Sequence, residues 1–256
     1  MLKVRVIPTL LWKDFTLVKG IGFDSWRRVG TVLPSVKVYN TRQVDEMILV
    51  DITATDSDRD PDYEEIEYIC NECFVPLTIG GGIRNIDHVR NLLKAGADKV
   101  AVNSAAFETP ELITEIAGLF GSQCVIASID VKKKEDGNWE CYSHSGKKPT
   151  GKEAISWAQE MEKRGAGEIL ITSIELDGTM EGYDLELVKA ISEAVNIPVI
   201  ASGGAGNYEH MHEAIQAGAN AVAAASIYHF TQQTPLEAKK HLGLQGIPVR
   251  AAFYKQ

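Results

Sequence analysis

Two glycine pairs, Gly81-Gly82 and Gly203-Gly204, each end an apolar run and open a helical stretch. Glycine lets backbone N–H groups approach an oxyanion closely, and a following helix adds partial positive charge, so each pair is a candidate phosphate cradle. A serine stands one apolar run later in each case, Ser104 and Ser226. Each pair is also compatible with a plain strand-to-helix turn. Recurrence with a serine partner favours phosphate, and implies a ligand with two phosphates or one phosphate-bearing molecule spanning both cradles. Other groups able to do chemistry stand where apolar runs end: Asp51, Asn103, Asp130, Thr172, Ser202, and Asp177-Gly178 shortly after a run. Lys19 follows the first run and is expected in a long loop. Asp130 is a candidate general acid or base. His88, His144, His210, His212, His229 and His241 form no cluster at ligand spacing, since the i and i+2 pair His210/His212 diverges on a helix. No metal and no cofactor is expected. Cys70 and Cys73 form a lone C-x-x-C with no second pair, which reads as helix and core cysteines, as do Cys124 and Cys141.

The elements that must position these groups follow from an internal repeat. Pro76 to Ser104 returns as Pro198 to Ser226, with Pro76, Gly81, Gly82, Asn85, His88, Ala95, Gly96, Ala97, Val100, Ala101 and Ser104 all having identical counterparts 122 residues later. The chain therefore reads as two similar halves, about 1–121 and 122–256. Strand-length apolar runs lie near Val4–Leu11, Glu46–Ile52, Pro76–Gly80, Lys99–Asn103, Cys124–Asp130, Glu168–Ser173, Pro198–Ser202 and Ala221–Ala225. Helical patterns fall near Tyr63–Asn71, Ile86–Ala95, Pro110–Leu119, Lys152–Arg164, Leu185–Ala194, Tyr208–Ala217 and Pro235–Leu242, with the first crossover unclear. Near-continuous Val/Ile/Leu runs alternating with helices predict parallel strands buried on both faces. Eight such units predict a single-domain α/β chain closed as a (β/α)8 TIM barrel, with its chemistry at the strand C-termini.

Composition narrows the class. With 45% hydrophobic and 24% charged residues the chain of 256 is globular in character, and its net charge of −9 argues against nucleic acid or an anionic membrane as partner. No apolar run approaches the ~18 residues of a membrane helix. The N-terminus shows neither a long apolar region nor a small-residue cleavage site, so a cytoplasmic enzyme or enzyme subunit is expected.

The motifs Leu49-Val-Asp-Ile-Thr-Ala-Thr55, Pro76-Leu-Thr-Ile-Gly-Gly-Gly-Ile-Arg84, Gly96-Ala-Asp-Lys-Val100, Ser145-Gly-Lys-Lys-Pro-Thr-Gly151, Ile174-Glu-Leu-Asp-Gly-Thr179 and Ile200-Ala-Ser-Gly-Gly-Ala-Gly206 resemble the HisF family over nearly the whole chain. HisF is the cyclase subunit of imidazole glycerol phosphate synthase. The resemblance implies two phosphate sites, on Gly81, Gly82, Gly203, Gly204 and Ser226. It also implies a HisH-like glutaminase docked on the N-terminal barrel face, where Asp98 could add a rim charge. Ammonia would cross the barrel through a charged gate that falls on Arg5, Glu46, Lys99 and Glu168. Each of these four stands at the start of a strand, where two cations and two anions could equally form a salt cluster sealing the floor.

One position departs from the family. It places aspartates at the ends of strands one and five as general acid and base; Asp130 matches the second, but the first falls on Leu11. The repeat agrees, aligning Leu10-Leu11-Trp12-Lys13 with Ile129-Asp130-Val131-Lys132. Asp14, three residues farther, is a poor substitute. Val44 and the loop Asp56-Ser-Asp-Arg-Asp-Pro-Asp-Tyr63 also differ. These departures resemble HisF-like paralogs associated with amidation of surface sugars, as in lipopolysaccharide biosynthesis, where ammonia passes to a separate sugar amidotransferase. Three readings follow: an ammonia-conducting subunit serving another acceptor; a true histidine-biosynthesis cyclase (a lyase), with Glu175, Asp177 or Lys19 assisting Asp130; or a non-catalytic scaffold for a phosphorylated metabolite and a glutaminase.

Overall fold

The computed structural model describes residues 3–250, so the outermost ends of the expected domain, 1–2 and 251–256, lie outside it. Eight strands run parallel: β1 (Arg5–Lys13), β4 (Met47–Asp51), β5 (Leu77–Gly80), β6 (Lys99–Val102), β7 (Val125–Lys133), β10 (Glu168–Ser173), β11 (Val199–Ser202) and β12 (Ala221–Ala224). Each pairs with the next, β7 pairs with β10, and β12 returns to β1 through Arg5↔Ala221, so the sheet closes into a (β/α)8 TIM barrel without a free edge. The lumen is filled by Ile7, Ile48, Ala101, Ile126, Leu170, Ile200, Ala221 and Ala223. A second apolar layer lies between strands and helices. Strands buried on both faces need continuous apolar runs, which is why the runs were legible.

The helices covering the barrel are α1 (Val32–Thr41), α2 (Tyr63–Asn71), α3 (Ile86–Lys94), α5 (Glu111–Phe120), α6 (Ala154–Lys163), α7 (Leu185–Ala194), α8 (Tyr208–Gln216) and α10 (Pro235–Leu244), with short α4 (Ser104–Glu108) and α9 (Ser226–Phe230) after the fourth and last barrel strands. The repeated residues turn out to be helix punctuation. Asn85 and Asn207 cap α3 and α8 by accepting from the backbone N–H of His88 and His210. The imidazole of His88 bonds Gly82 O at 3.1 Å, and that of His210 accepts from Gly206 N–H at 3.2 Å, so both histidines brace the glycine turns. Gly96 and Gly218 end the same helices with φ of 107° and 116°, and Ala97 and Ala219 donate back to Leu92 O and Ala214 O. That left-handed closure is the reason for the repeated Gly-Ala.

The structure corrects the reading of two segments. Lys19 does not lie in a loop. It sits on β2 (Thr16–Ile21), which pairs antiparallel with β1 and with β3 (Asp24–Gly30). A second hairpin, β8 (Trp139–Ser143) and β9 (Lys148–Glu153), extends β7 in the same way, so helix α6 begins at Ala154 and not at Lys152. Both hairpins fold over the strand C-termini. The first crossover, unclear in the sequence, is α1. No described helix is long and apolar enough to cross a membrane.

Candidate functional site at the strand C-termini

A cavity of about 280 Å³ opens at the C-terminal mouth. The mouth residues anticipated from the sequence line it, namely Leu11, Lys19, Asp51, Gly81, Gly82, Asn103, Ser104, Asp130, Thr172, Asp177, Gly178, Ser202, Gly203, Gly204 and Ser226, whereas Glu175 lies outside the lining and accepts from Lys133 N–H. Barrel closure does this by aiming alternate side chains of each strand inward.

Asp130 is the group best prepared for proton transfer. It accepts from the Asn103 amide at 3.0 Å, and the same amide donates to Ser128 O at 3.1 Å, which fixes its orientation. Burial, reinforced by the charge of Asp177 and partly offset by Thr172, pushes the Asp130 carboxyl up to about 7. Such a group is shared between acid and base at neutral pH, the condition for efficient proton transfer. Leu11 occupies the corresponding place on β1. Asp130 pairs with Thr172 on β10, and Leu11 pairs with Val50 on β4. Val50 and Thr172 are themselves separated by the 122-residue offset of the repeat. Asp14 lies in the β1–β2 turn with left-handed φ of 46°, outside the cavity lining. Lys19 is 1% exposed, and its ammonium pairs with the Asp177 carboxylate. Burial nevertheless raises the Asp177 carboxyl, Lys19 opposing it. Beside Lys19, burial and then the lysine charge push His229 down to about 4, so its imidazole is neutral.

The two cradles differ. At the second, Ser226 is 4% exposed, and its hydroxyl is one of four buried side-chain polar atoms without a partner among the described residues. At the first, Ser104 Oγ accepts from the backbone N–H of His144 at 3.0 Å. Asp51 lines this cradle, but its carboxylate is occupied by Thr53 N–H and Oγ, Ala54 N–H and the Arg59 guanidinium. It organises the loop before α2.

The glycines carry a second constraint. A Cβ on Gly81 would lie 2.1 Å from Asp51 O, and one on Gly204 would lie 1.8 Å from Gly182 O, with φ of 97° and 104°. Backbone crossings therefore demand glycine whether or not phosphate binds. Gly204→Ala is expected to lower stability by about 2 kcal/mol or more with no ligand present. A charged substitution there would report folding and binding together. Ser226→Ala leaves the backbone alone and is expected to weaken phosphate binding about 3- to 10-fold, the worth of one hydrogen bond. Calorimetry with inorganic phosphate on both variants separates the two effects, and unchanged affinity in Ser226→Ala removes the serine from the cradle.

Below the lumen, Arg5, Glu46, Lys99 and Glu168 form a closed ring. Arg5 meets Glu46 at 2.8 Å and Glu168 at 2.7 Å; Lys99 meets Glu46 at 3.0 Å and Glu168 at 2.6 Å. Each cation thus bridges both anions, with side chains only 11–20% exposed. Burial pushes the Glu168 carboxyl up, but Arg5 and Lys99 outweigh it and hold it below the usual range. Asp98 is tied to Leu77 N–H at 2.8 Å.

Sequence reasoning missed several lining residues. Phe23 and Trp26 reach the cavity from the first hairpin, and His144 and Ser145 from the second, with Arg84 and Glu108 beside them. Aromatic residues after Lys19 and a histidine next to Ser145-Gly146 were the available signals. No group of three metal-ligating side chains suited to an ion occurs among the described residues. The four cysteines are free, and burial pushes the Cys70 thiol up to about 12, far from thiolate chemistry. Residues 5–234 match the sequence model of the family described as "Histidine biosynthesis protein".

Proposed function

The chain belongs to the histidine biosynthesis protein family, and on that footing we propose that it is a HisF-like synthase subunit of a glutamine amidotransferase complex. In this reading a HisH-like glutaminase docks on the N-terminal barrel face and releases ammonia beneath the ring. The ammonia crosses the barrel to the cavity, where a phosphorylated ligand spans the two cradles. The observation that carries the reading is the ring itself. It is a neutral set of two cations and two anions below the lumen, at the end opposite the mouth. The lumen above it is apolar, which admits neutral ammonia and opposes ammonium, because an unpaired charge in such surroundings is strongly disfavoured. The exposed side chains Phe74 (79%) and Leu244 (88%) follow α2 and end α10, on the face where a partner would sit.

Leu11 directs the proposal away from histidine biosynthesis itself. The acceptor is then another molecule, and amidation of a surface sugar, through a separate sugar amidotransferase, fits a barrel with only one of the two cooperating carboxylates. One observation favours a true cyclase as the second reading. Asp130 remains poised near neutrality, with the buried Lys19–Asp177 pair beside it.

The chain is expected to form a stable heterodimer with a class I glutaminase and to raise its glutamine turnover, since the two sites are coupled through the complex. Co-purification and a glutamate-release assay check this. If no such glutaminase binds or responds, the ring is a structural floor and the conduit reading fails.

A further inference from the structure

The two cradles are not electrostatically alike, and the difference lies in a residue outside every motif discussed above. The cations near the first cradle are engaged: Arg84 with Asp58 and Asp60, Lys147 with Asp56, and Arg59 with Asp51. At the second, Lys19 is engaged with Asp177 and His229 is held neutral. His144 is different. It lines the cavity from the turn between β8 and β9, and its backbone N–H is bonded to Ser104 Oγ, the cradle serine. Its Nδ1 lies 3.1 Å from Ser143 Oγ, and its Nε2 is 3.8 Å from Glu108, too long for a hydrogen bond. The turn also holds three successive residues, His144, Ser145 and Gly146, at φ of 51°, 52° and 76°. Two non-glycine residues in that region store strain, and such strain concentrates where a side chain must be aimed.

We propose that His144 is a phosphate-binding residue of the first cradle, giving that cradle alone a cation that forms on demand and so fixing which end of a two-phosphate ligand it takes. The inference rests on the phosphate-cradle part of the proposed function. His144 reaches this cradle through its backbone bond to Ser104 Oγ and shares the cavity with Gly81 and Gly82, so a protonated imidazole there would supply a charge-assisted hydrogen bond, whereas at the second cradle Lys19 is held by Asp177 and His229 is neutral. Histidine is the side chain that gains this charge between about pH 5 and 8. The charged groups facing it are Glu108 on α4 and, across the same cavity, the Arg84–Asp58 pair, Asp51, Asp130, Lys19 and Asp177. Asp130 titrates near 7, and its loss of charge on acidification also favours an anion, so the two effects share a sign and must be separated.

The test uses sulfate, whose charge is constant over this range, titrated calorimetrically at pH 6 and pH 8 into the intact chain. His144→Asn keeps a residue type that tolerates left-handed backbone and removes the ionisable ring; Asp130→Asn removes the competing titration. Wild type is expected to bind sulfate about 3- to 10-fold more tightly at pH 6 than at pH 8, the range for a partly exposed charge-assisted bond. Most of that ratio should persist in Asp130→Asn and vanish in His144→Asn. A flat wild-type profile, or a ratio that survives in His144→Asn and vanishes in Asp130→Asn, overturns the assignment while leaving the cradles intact. Absence of sulfate binding at either pH sinks the phosphate reading of both cradles, and the role of His144 with it. Should His144→Asn fail to fold, a flat wild-type profile or loss of the ratio in Asp130→Asn still overturns the assignment.

Discussion

In saturating ammonium the purified chain is expected to convert the ribulosyl bisphosphate substrate of the histidine pathway at a negligible rate, and Leu11→Asp is expected to raise that rate about 10²- to 10⁴-fold. The argument is positional. Leu11 and Asp130 occupy corresponding registers on β1 and β7, and both face the cavity. A cyclisation that needs one group to give a proton while another takes one has only Asp130 here. Burial already pushes that carboxyl up to about 7, so it can hold or release a proton but cannot do both in one step. A second carboxylate facing it would share the proton and split the two roles, as paired carboxylates do when held close. Leu11 is only partly buried and lines the cavity, so the substitution removes little packing, and stability is measured alongside because the new carboxyl faces Asp130. The measurement is ammonia-dependent product formation by wild type and variant under identical conditions. Wild-type turnover on the order of 1 s⁻¹ would show that Asp130 acts with another partner, Lys19–Asp177 being the nearest candidate, and would restore the cyclase reading.

The parts legible in the sequence were those governed by one-dimensional pattern. The barrel strands appeared as apolar runs because a parallel strand covered on both faces has no polar side to show. The glycine pairs, the N-capping asparagines and the Gly-Ala helix ends appeared because backbone geometry selects those residues, and the repeat displayed the set twice. The hairpins did not appear. The first turns through Asp14 and Phe15, left-handed without glycine, and the second through His144 and Ser145, also left-handed, with only Gly146 after them as a local mark. Tertiary contact enforces both turns. Gly22 N–H is bonded to Asp177 O, and Ser145 Oγ to Ile52 O, which ties the hairpins to distant loops. Lys19 was therefore identified as a site residue but placed in a loop, and His144 was not identified at all. The roles of Asp51 and Asp98 were hidden for a related reason. Their oxygens are occupied by backbone N–H groups and by Arg59, a matter of coordinates and not of residue type. The ring residues, at positions 5, 46, 99 and 168, shared only their place at strand starts.

Lys99→Ala is expected to lower stability at pH 7 by about 2–4 kcal/mol, somewhat less than the loss of one partner from a fully buried pair. In the ring, Lys99 bonds both Glu46 and Glu168, so its removal leaves two carboxylates sharing Arg5. The pH dependence has a definite sign. In the wild type the Glu168 carboxyl is held below its usual range, so its contribution is present above the unfolded value of about 4.3 and is lost as pH falls through the folded value. Without Lys99 the Glu168 carboxyl loses one of the two cations that hold it down and regains affinity for protons, so the variant is penalised most near neutrality. The stability gap between wild type and variant should therefore narrow as the pH is lowered from 7 toward 4, as read from urea unfolding at both values. Lys99→Met fills the same space without charge and serves if the alanine variant does not fold. A gap that stays constant with pH would mean that packing, and not charge, holds the ring together. The same variants address conduction. If the ring is the passage, glutamine-dependent amidation in the glutaminase complex should fall, while amidation from added ammonia, which enters by the open mouth, should persist. Equal loss from both nitrogen sources would assign the effect to general destabilisation of the barrel, and no loss from either would leave the ring a floor with no part in ammonia transfer.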